Sequence, residues 1–161
     1  MNSKFELLLD DVVEYLGIKL FRIRALNSFG NVEAGDIGGY IEKEENLYIY
    51  GKAWVSGNAM VYGNARVYGN ARVYGNAMVY GNAWVYGDAR VTSQKDYIVF
   101  KNSWSSFRWF TYTKSNRMWK VGCFYGTGQE LIEKAYKDNE KSGKCYEAYV
   151  NLVLELEKLD D

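Results

Sequence analysis

The side chains that could do chemistry in this sequence are mainly arginines, lysines and aromatic residues, because the chain contains no histidine. Histidine is the usual general base and a frequent zinc ligand, so its absence removes Ser-His and Cys-His nucleophile pairs and three-histidine zinc sites. The repeated middle of the chain holds a single acidic residue, Asp88, so paired carboxylates are missing there too. We therefore expect a protein that is not an enzyme and that uses no metal or cofactor.

Arginine, methionine and aromatic side chains recur at an interval of 18 residues between Trp54 and Arg90. This interval defines a Trp54 row (Trp54, Arg72, Arg90), a Met60 row (Met60 and Met78, beside Tyr62 and Tyr80) and an Arg66 row (Arg66 and Trp84, beside Tyr50, Tyr68 and Tyr86). An arginine next to a tryptophan suits cation–π contact and stacking. We expect the Trp54 and Arg66 rows to bind a ligand or partner, and the Met60 row to be a packing or oligomer face.

A second basic and aromatic stretch lies between Lys95 and Lys120, where six basic residues stand against Asp96 alone. Its candidate binding residues are Arg108, Trp109 and Arg117. Basic residues among aromatics suit a nucleotide or a short single strand, because bases stack while phosphates pair with cations. The alternative is an amphipathic hairpin with its aromatic residues in the core and its basic residues in solvent.

The overall charge argues against partners that are recognised by long-range attraction. Lys and Arg together number 20, as do Asp and Glu, so we expect neither duplex nucleic acid nor a membrane as a partner. We expect a cytoplasmic protein, because the sequence has no long apolar run and its start lacks a secretion signal. Cys123 and Cys145 have no metal-type spacing and are interpreted as reduced thiols.

The elements that must position these side chains are six-residue repeats. From Gly51 the sequence reads GKAWVS, GNAMVY, GNARVY, GNARVY, GNAMVY, GNAWVY and GDARVT, and the preceding ENLYIY fits the same frame. Alanine and valine point to one side of such a strand and the residue between them to the other, while Gly-Asn tolerates the positive φ of a corner. Three strands close one triangular coil, which explains why equivalent positions recur in every third repeat.

The flanking segments are expected to cap the coil. Residues 1–46 are predicted as an N-terminal cap, in which SKFE forms a capping box for a helix through Leu16, followed by a strand and a glycine-rich lead-in with a tight bend at Gly38-Gly39. Residues 47–92 are the repeats. We expect residues 93–161 to form a small α+β unit that folds over at least one side face, most naturally the Met60 row.

Within that last unit the pattern predicts three strands and two helices. The strands are YIVF, RWFTYT and MWKVGCF, with a KSNR turn between the last two. Thr127 and Glu130 form a capping box for a helix that begins near Gln129. A further helix covers residues 145–159, and NEKSGK is interpreted as the turn between the helices.

The segment LFRIRALNSFGNVEAGDIGGYIEKEENL, leading into GKAWVSGNAMVYGNARVYGNA, resembles hexapeptide-repeat proteins common in bacteriophages and prophages. Some of these are labelled putative transferases or polymer-forming proteins. The later phrase VGCFYGTGQELIEKA is similar to a module that often follows such repeats. The resemblance implies a mainly β fold with a left-handed parallel β-helix of about 2.5 coils, in a phage protein acting in the cytoplasm of the infected bacterium.

Fold alone leaves the function open, and three hypotheses remain. The first is a non-catalytic phage protein that inhibits host defence by sequestering a host protein or a small anionic nucleotide. The second is a structural oligomerisation module, and under either hypothesis we expect a homo-oligomer, a trimer or a dimer. The third is a hexapeptide-type acyltransferase with an atypical site that lacks histidine.

Overall fold

The protein is mainly β, with two helices at its C-terminal end. The structure, a computed structural model, describes residues 2–160. Its strands are β1 (Phe5–Tyr15), β2 (Ile18–Ala25), β3 (Ile37–Ile41), β4 (Trp54–Val55), β5 (Met60–Val61), β6 (Arg66–Val67), β7 (Arg72–Val73), β8 (Met78–Val79), β9 (Trp84–Val85), β10 (Arg90–Val91), β11 (Tyr97–Lys101), β12 (Trp109–Thr113), β13 (Met118–Val121) and β14 (Phe124–Gly126). The helices are α1 (Gly128–Asp138) and α2 (Glu140–Leu159). Within the described residues, neither helix is long and apolar enough to cross a membrane.

The N-terminal segment is a strand, so the helix predicted from Phe5 to Leu16 is wrong. β1 pairs with β2 in an antiparallel hairpin, and β2 pairs in turn with β3. The hairpin turn consists of Leu16 and Gly17, whose φ values of 53° and 80° give the turn geometry that matches the twist of paired strands. Tertiary pairing with β2 therefore overrides the local helix signal.

The repeats form parallel strands with the predicted orientation and register. In each repeat from Gly51 the alanine and the valine are buried, and they form one continuous core. Trp54 pairs with Arg72 and Arg72 with Arg90, while Met60 pairs with Met78 and Arg66 with Trp84. The predicted pairing of each repeat strand with that of the third repeat after it is thereby confirmed.

The entry into this parallel arrangement differs from the prediction. Tyr40 pairs with Met60 and Leu47 with Val67, so the interval here is two residues longer than three repeats, and ENLYIY does not fit the repeat frame. The glycines expected in a tight bend lie inside β3 instead. A Cβ atom on Gly39 would come within 2.7 Å of the Ala59 carbonyl oxygen, so glycine is needed for close approach.

Lys4 caps the N-terminal end of the repeats from a buried position. Its Nζ donates a hydrogen bond of 2.8 Å to the Tyr48 carbonyl oxygen and lies 4.9 Å from the centre of the Phe29 ring. Burial lowers the pKa of Lys4 to about 8 from its usual value of 10.5. The folded chain therefore releases this proton at a lower pH than the unfolded chain does.

We expect the Lys4 contribution to the free energy of unfolding to rise with pH between about 8 and 10.5. In that window the unfolded chain still binds the proton that the folded chain has lost, and the full difference is worth about 3 kcal/mol. Urea unfolding of the wild type and of Lys4→Met at each pH isolates this contribution, because tyrosine titrations cancel in the comparison. Stability profiles that stay parallel from pH 7 to about pH 10 would contradict the assignment.

The C-terminal unit covers the end of the repeats rather than a side face, which corrects our expectation. Its four-stranded antiparallel sheet, in the order β11-β12-β13-β14, packs on α1 and α2 with one side. From its other side, Thr111 Oγ1 accepts a hydrogen bond of 2.9 Å from the Trp84 N–H, and Ser115 Oγ accepts one of 2.8 Å from the Arg90 N–H. These N–H groups belong to the last strands of the repeats, which have no following repeat strand to bond to. The C-terminal unit therefore supplies hydrogen-bond acceptors for backbone groups that would otherwise be unpaired at this end.

The helix signals of this unit are largely confirmed. The Thr127 side chain accepts a hydrogen bond from the Glu130 N–H, and α1 begins at Gly128. The KSNR segment connects β12 and β13 as predicted. NEKSGK is not a turn between helices, because Asn139 caps α2 and the rest of that segment forms its first residues.

Candidate ligand-binding face

The Arg66 row is the most aromatic face of the repeats, and neighbouring tyrosine rings stack along it. The Tyr48 and Tyr68 ring centres are 4.4 Å apart, and those of Tyr68 and Tyr86 are 4.9 Å apart, with an interplanar angle of 15° in both pairs. Tyr50, which the repeat frame placed in this column, is exposed and meets Tyr48 edge to face. The longer interval at the entry puts Tyr48 in the column instead.

Two cations lie against the aromatic rings at the C-terminal end of this column. The Arg66 guanidinium is 5.5 Å from the Trp84 ring centre. The Lys120 Nζ is 4.3 Å from the Tyr86 ring centre and 5.9 Å from that of Trp84. We call Arg66, Trp84, Tyr86 and Lys120 the Arg66 cluster. Among residues 2–160 neither of its cations forms a salt bridge with a carboxylate.

Lys120 comes from a different part of the chain, the basic and aromatic stretch between Lys95 and Lys120, but it was not among the three binding residues predicted there. It pairs in register with Thr111, whose hydroxyl holds the Trp84 N–H, so the β12–β13 hairpin delivers the ammonium to the solenoid. Burial lowers the pKa of Lys120 and raises the pKa of Tyr86. The cluster is thus a partly desolvated cationic and aromatic patch, in which charge-assisted hydrogen bonds are stronger than in bulk water.

Two shallow depressions meet at Arg66. One, of about 440 Å³, is bordered by Tyr48, Tyr50 and Tyr68. The other, of about 310 Å³, is bordered by Trp84, Asn64 and Asn82. Glu45 borders both depressions, but Glu44 borders only the first and Lys43 only the second, so an anion is favoured in the second depression, beside Trp84.

The other two rows are partly covered. Trp54 is buried and meets Phe29 edge to face at 5.4 Å, so it is not accessible to a ligand, while Arg72 is half-buried and Arg90 is exposed. In the Met60 row, Tyr62 is buried between Tyr15 and Tyr80, Met60 and Met78 are half-buried, and Tyr80 is exposed. The N-terminal segment therefore covers the most apolar part of each row.

The three candidates in the C-terminal unit are exposed but are not gathered into one pocket. The Lys101 Nζ lies 5.5 Å from the centre of the Trp109 ring. Arg117 forms an ion pair of 3.7 Å with Glu157 of α2. Arg108 lies against Gly122. The aromatic residues of the stretch divide between core and surface: Phe110, Tyr112 and Trp119 pack under the helices, whereas Trp104 and Phe107 are exposed. The alternative interpretation of this stretch, an amphipathic hairpin, therefore explains the buried aromatic residues but not the exposed Trp104 and Phe107.

Comparison with known proteins agrees with the architecture of the repeats. The family model of the YdcK beta solenoid repeat matches residues 53–69, 59–72, 65–75 and 71–87, which include both Arg66 and Trp84. The central segment is therefore a β-solenoid repeat. No curated protein matches the chain. Among the described residues, no three His, Cys, Asp or Glu side chains lie together as a metal ion would require.

Proposed function

We propose that this chain is a non-catalytic binding protein whose Arg66 cluster holds a small anion that carries a flat ring, such as a nucleotide. The observation that carries the proposal is the pair of cations on aromatic rings, Arg66 on Trp84 and Lys120 on Tyr86, neither of them in a salt bridge within residues 2–160. A chain without net charge gains little from long-range attraction, so recognition has to come from such local contacts.

The proposed contacts follow from the chemistry of the cluster. The ring of the ligand stacks on Trp84, while its phosphate accepts hydrogen bonds from the Arg66 guanidinium and the Lys120 ammonium. Stacking contributes about 1–3 kcal/mol per base, and each hydrogen bond to a charged group adds about 1.5–3 kcal/mol. Because association itself is costly, we expect a dissociation constant of about 1 µM or weaker.

The resemblance of the repeats to phage proteins supports a more specific version of this proposal. In it the solenoid is a left-handed helix of about 2.5 coils of hexapeptide repeats, and the protein is phage-encoded. It acts in the cytoplasm of the infected bacterium and inhibits host defence by withdrawing a nucleotide signal. Sequestration of a host protein through the same face is the alternative, and it uses the same cations and aromatic rings.

Calorimetry against a panel of cyclic and linear nucleotides tests the proposal. We expect binding that weakens as salt rises, a loss of at least about tenfold in affinity for Arg66→Gln, and a similar loss for Trp84→Leu. Arg72→Gln is the matched control, because Arg72 is a repeat arginine at the same position on another face. If no nucleotide binds but capture of a host protein depends on Arg66, the nucleotide version fails and the protein alternative remains.

A further inference from the structure

β11 is an outer strand of the C-terminal sheet, and part of its backbone points away from its neighbour. The Asn102 N–H donates to the Arg108 carbonyl, and the Lys114 N–H donates to the Asp96 carbonyl, both at 2.9 Å. Antiparallel hydrogen bonds recur at every second residue, so the even-numbered residues of β11 bond to β12. The N–H and C=O groups of Tyr97 and Val99 and the N–H of Lys101 therefore face the open edge, whereas the Lys101 carbonyl already accepts hydrogen bonds from the Ser103 N–H at 3.1 Å and from the Tyr149 hydroxyl at 3.4 Å.

This edge lacks the bulge and the two adjacent acidic residues that protect another edge of the same chain. Pairing between β1 and β2 is interrupted between Leu8 and Val12, and two aspartates, Asp10 and Asp11, lie in the interruption. Bulges and charges of this kind prevent further strands from pairing. β11 pairs with β12 in unbroken register over five residues, and its only charged residue is Lys101.

An apolar stripe on α2 runs beside the open edge. Leu152 and Leu156 are 45% and 42% exposed, and Ala148 and Leu159 lie at helical spacing from them on the same side. The Tyr149 hydroxyl donates to the Lys101 carbonyl, whereas Leu156 borders a cleft with Ile98. The helix and the strand thus run in opposite directions, and Leu152 lies near the level of Val99.

We propose that two copies of this chain associate edge to edge through β11, around a two-fold axis at Val99. In this register Val99 pairs with Val99 of the second copy, and Tyr97 lies opposite Lys101 of the second copy, whose backbone N–H donates to the Tyr97 carbonyl. No like charges oppose each other, and each lysine lies beside a tyrosine ring. The same axis brings Leu152 against its own copy and Leu156 near Ala148, so the surface is self-complementary, as a two-fold interface requires.

This inference does not depend on the proposed function, and the solution mass of the full-length chain tests it. We expect the wild type to be a dimer, and Leu152→Glu with Leu156→Glu to raise the dissociation constant at least about a hundredfold. Leu154→Glu is the matched control and should stay dimeric, because Leu154 is 47% exposed but lies off the stripe. Met60→Glu with Met78→Glu, on the face that the sequence suggested, should also stay dimeric.

A disulfide trap tests the two-fold axis without relying on disruptive substitutions. In a chain carrying Cys123→Ser and Cys145→Ser, we expect Leu152→Cys to form a covalent dimer on oxidation and Leu154→Cys to remain monomeric under denaturing electrophoresis. A wild-type chain that is monomeric at about 100 µM, or trimeric, would overturn the inference. Equal cross-linking of the two cysteine variants, or dissociation caused only by the Met60 and Met78 substitutions, would overturn it as well.

Discussion

Replacing Val67 with aspartate is expected to abolish the cooperative thermal unfolding transition of this protein. Val67 is fully buried between its register partners Leu47 and Val85, in an interior lined by alanine and valine. A carboxylate placed there has no cation or hydrogen-bond donor to pair with, so the expected cost is about 4 kcal/mol or more. That loss is a large part of the about 5–15 kcal/mol that stabilises a typical domain.

Circular dichroism, followed as the temperature rises, measures this effect. The matched control is Arg72→Gln, which changes an outward residue of a neighbouring repeat and should cost well under about 1 kcal/mol. Wild-type melting of Val67→Asp would show that valine does not face the interior. A large loss of stability for Arg72→Gln would show that the two sides of the repeat strand are exchanged.

Removing the side chain of Asn46 is expected to produce the second largest loss of stability. Asn46 is fully buried, and its amide group donates hydrogen bonds of 2.8 Å to the Ala65 carbonyl and 3.2 Å to the Gly63 carbonyl. Its side-chain oxygen accepts a hydrogen bond of 2.9 Å from the Lys43 N–H. Asn46→Ala leaves these backbone groups without their partner, and we expect a cost of about 2–4 kcal/mol.

Urea unfolding gives this cost from the shift in midpoint at constant slope. Asn58→Ala provides the comparison, because Asn58 is the exposed asparagine of a regular repeat and its loss should change stability by less than about 0.5 kcal/mol. Equal destabilisation by the two substitutions would contradict a special role for Asn46. The result bears on the candidate site, because Asn46 anchors the chain just before Tyr48, where the stacked tyrosine column begins.

The Arg66 cluster joins two parts of the chain, and this arrangement affects how a ligand would act on stability. Arg66, Trp84 and Tyr86 belong to the repeats, whereas Lys120 belongs to the hairpin that covers their end. A ligand that contacts both Arg66 and Lys120 would hold the C-terminal unit on the solenoid. We therefore expect any such ligand to raise the melting temperature of the whole chain.

The repeat pattern was sufficient to predict the central architecture and part of the flanks. Alternation of alanine and valine around a variable residue predicted which side chains are buried, and the coil length predicted that Arg66 and Trp84 would be neighbours. The capping box at Thr127 and Glu130 also predicted the start of α1. These features are local or strictly periodic, so the residues that determine them lie close together or recur at a fixed interval.

Only the tertiary structure decided the strand identity of residues 5–15, the shift of two residues at Tyr48, the burial of Trp54 and the arrival of Lys120 at Trp84. Each depends on contact between segments whose separation follows no repeat. The N-terminal segment has a helix signal, yet it forms a strand because β2 offers its backbone a pairing partner. The position of Lys120 follows from the hydrogen bonds that Thr111 and Ser115 accept from the unpaired backbone N–H groups at the end of the solenoid. Those N–H groups need acceptors only once the repeats have folded, so the sequence pattern could not show this contact.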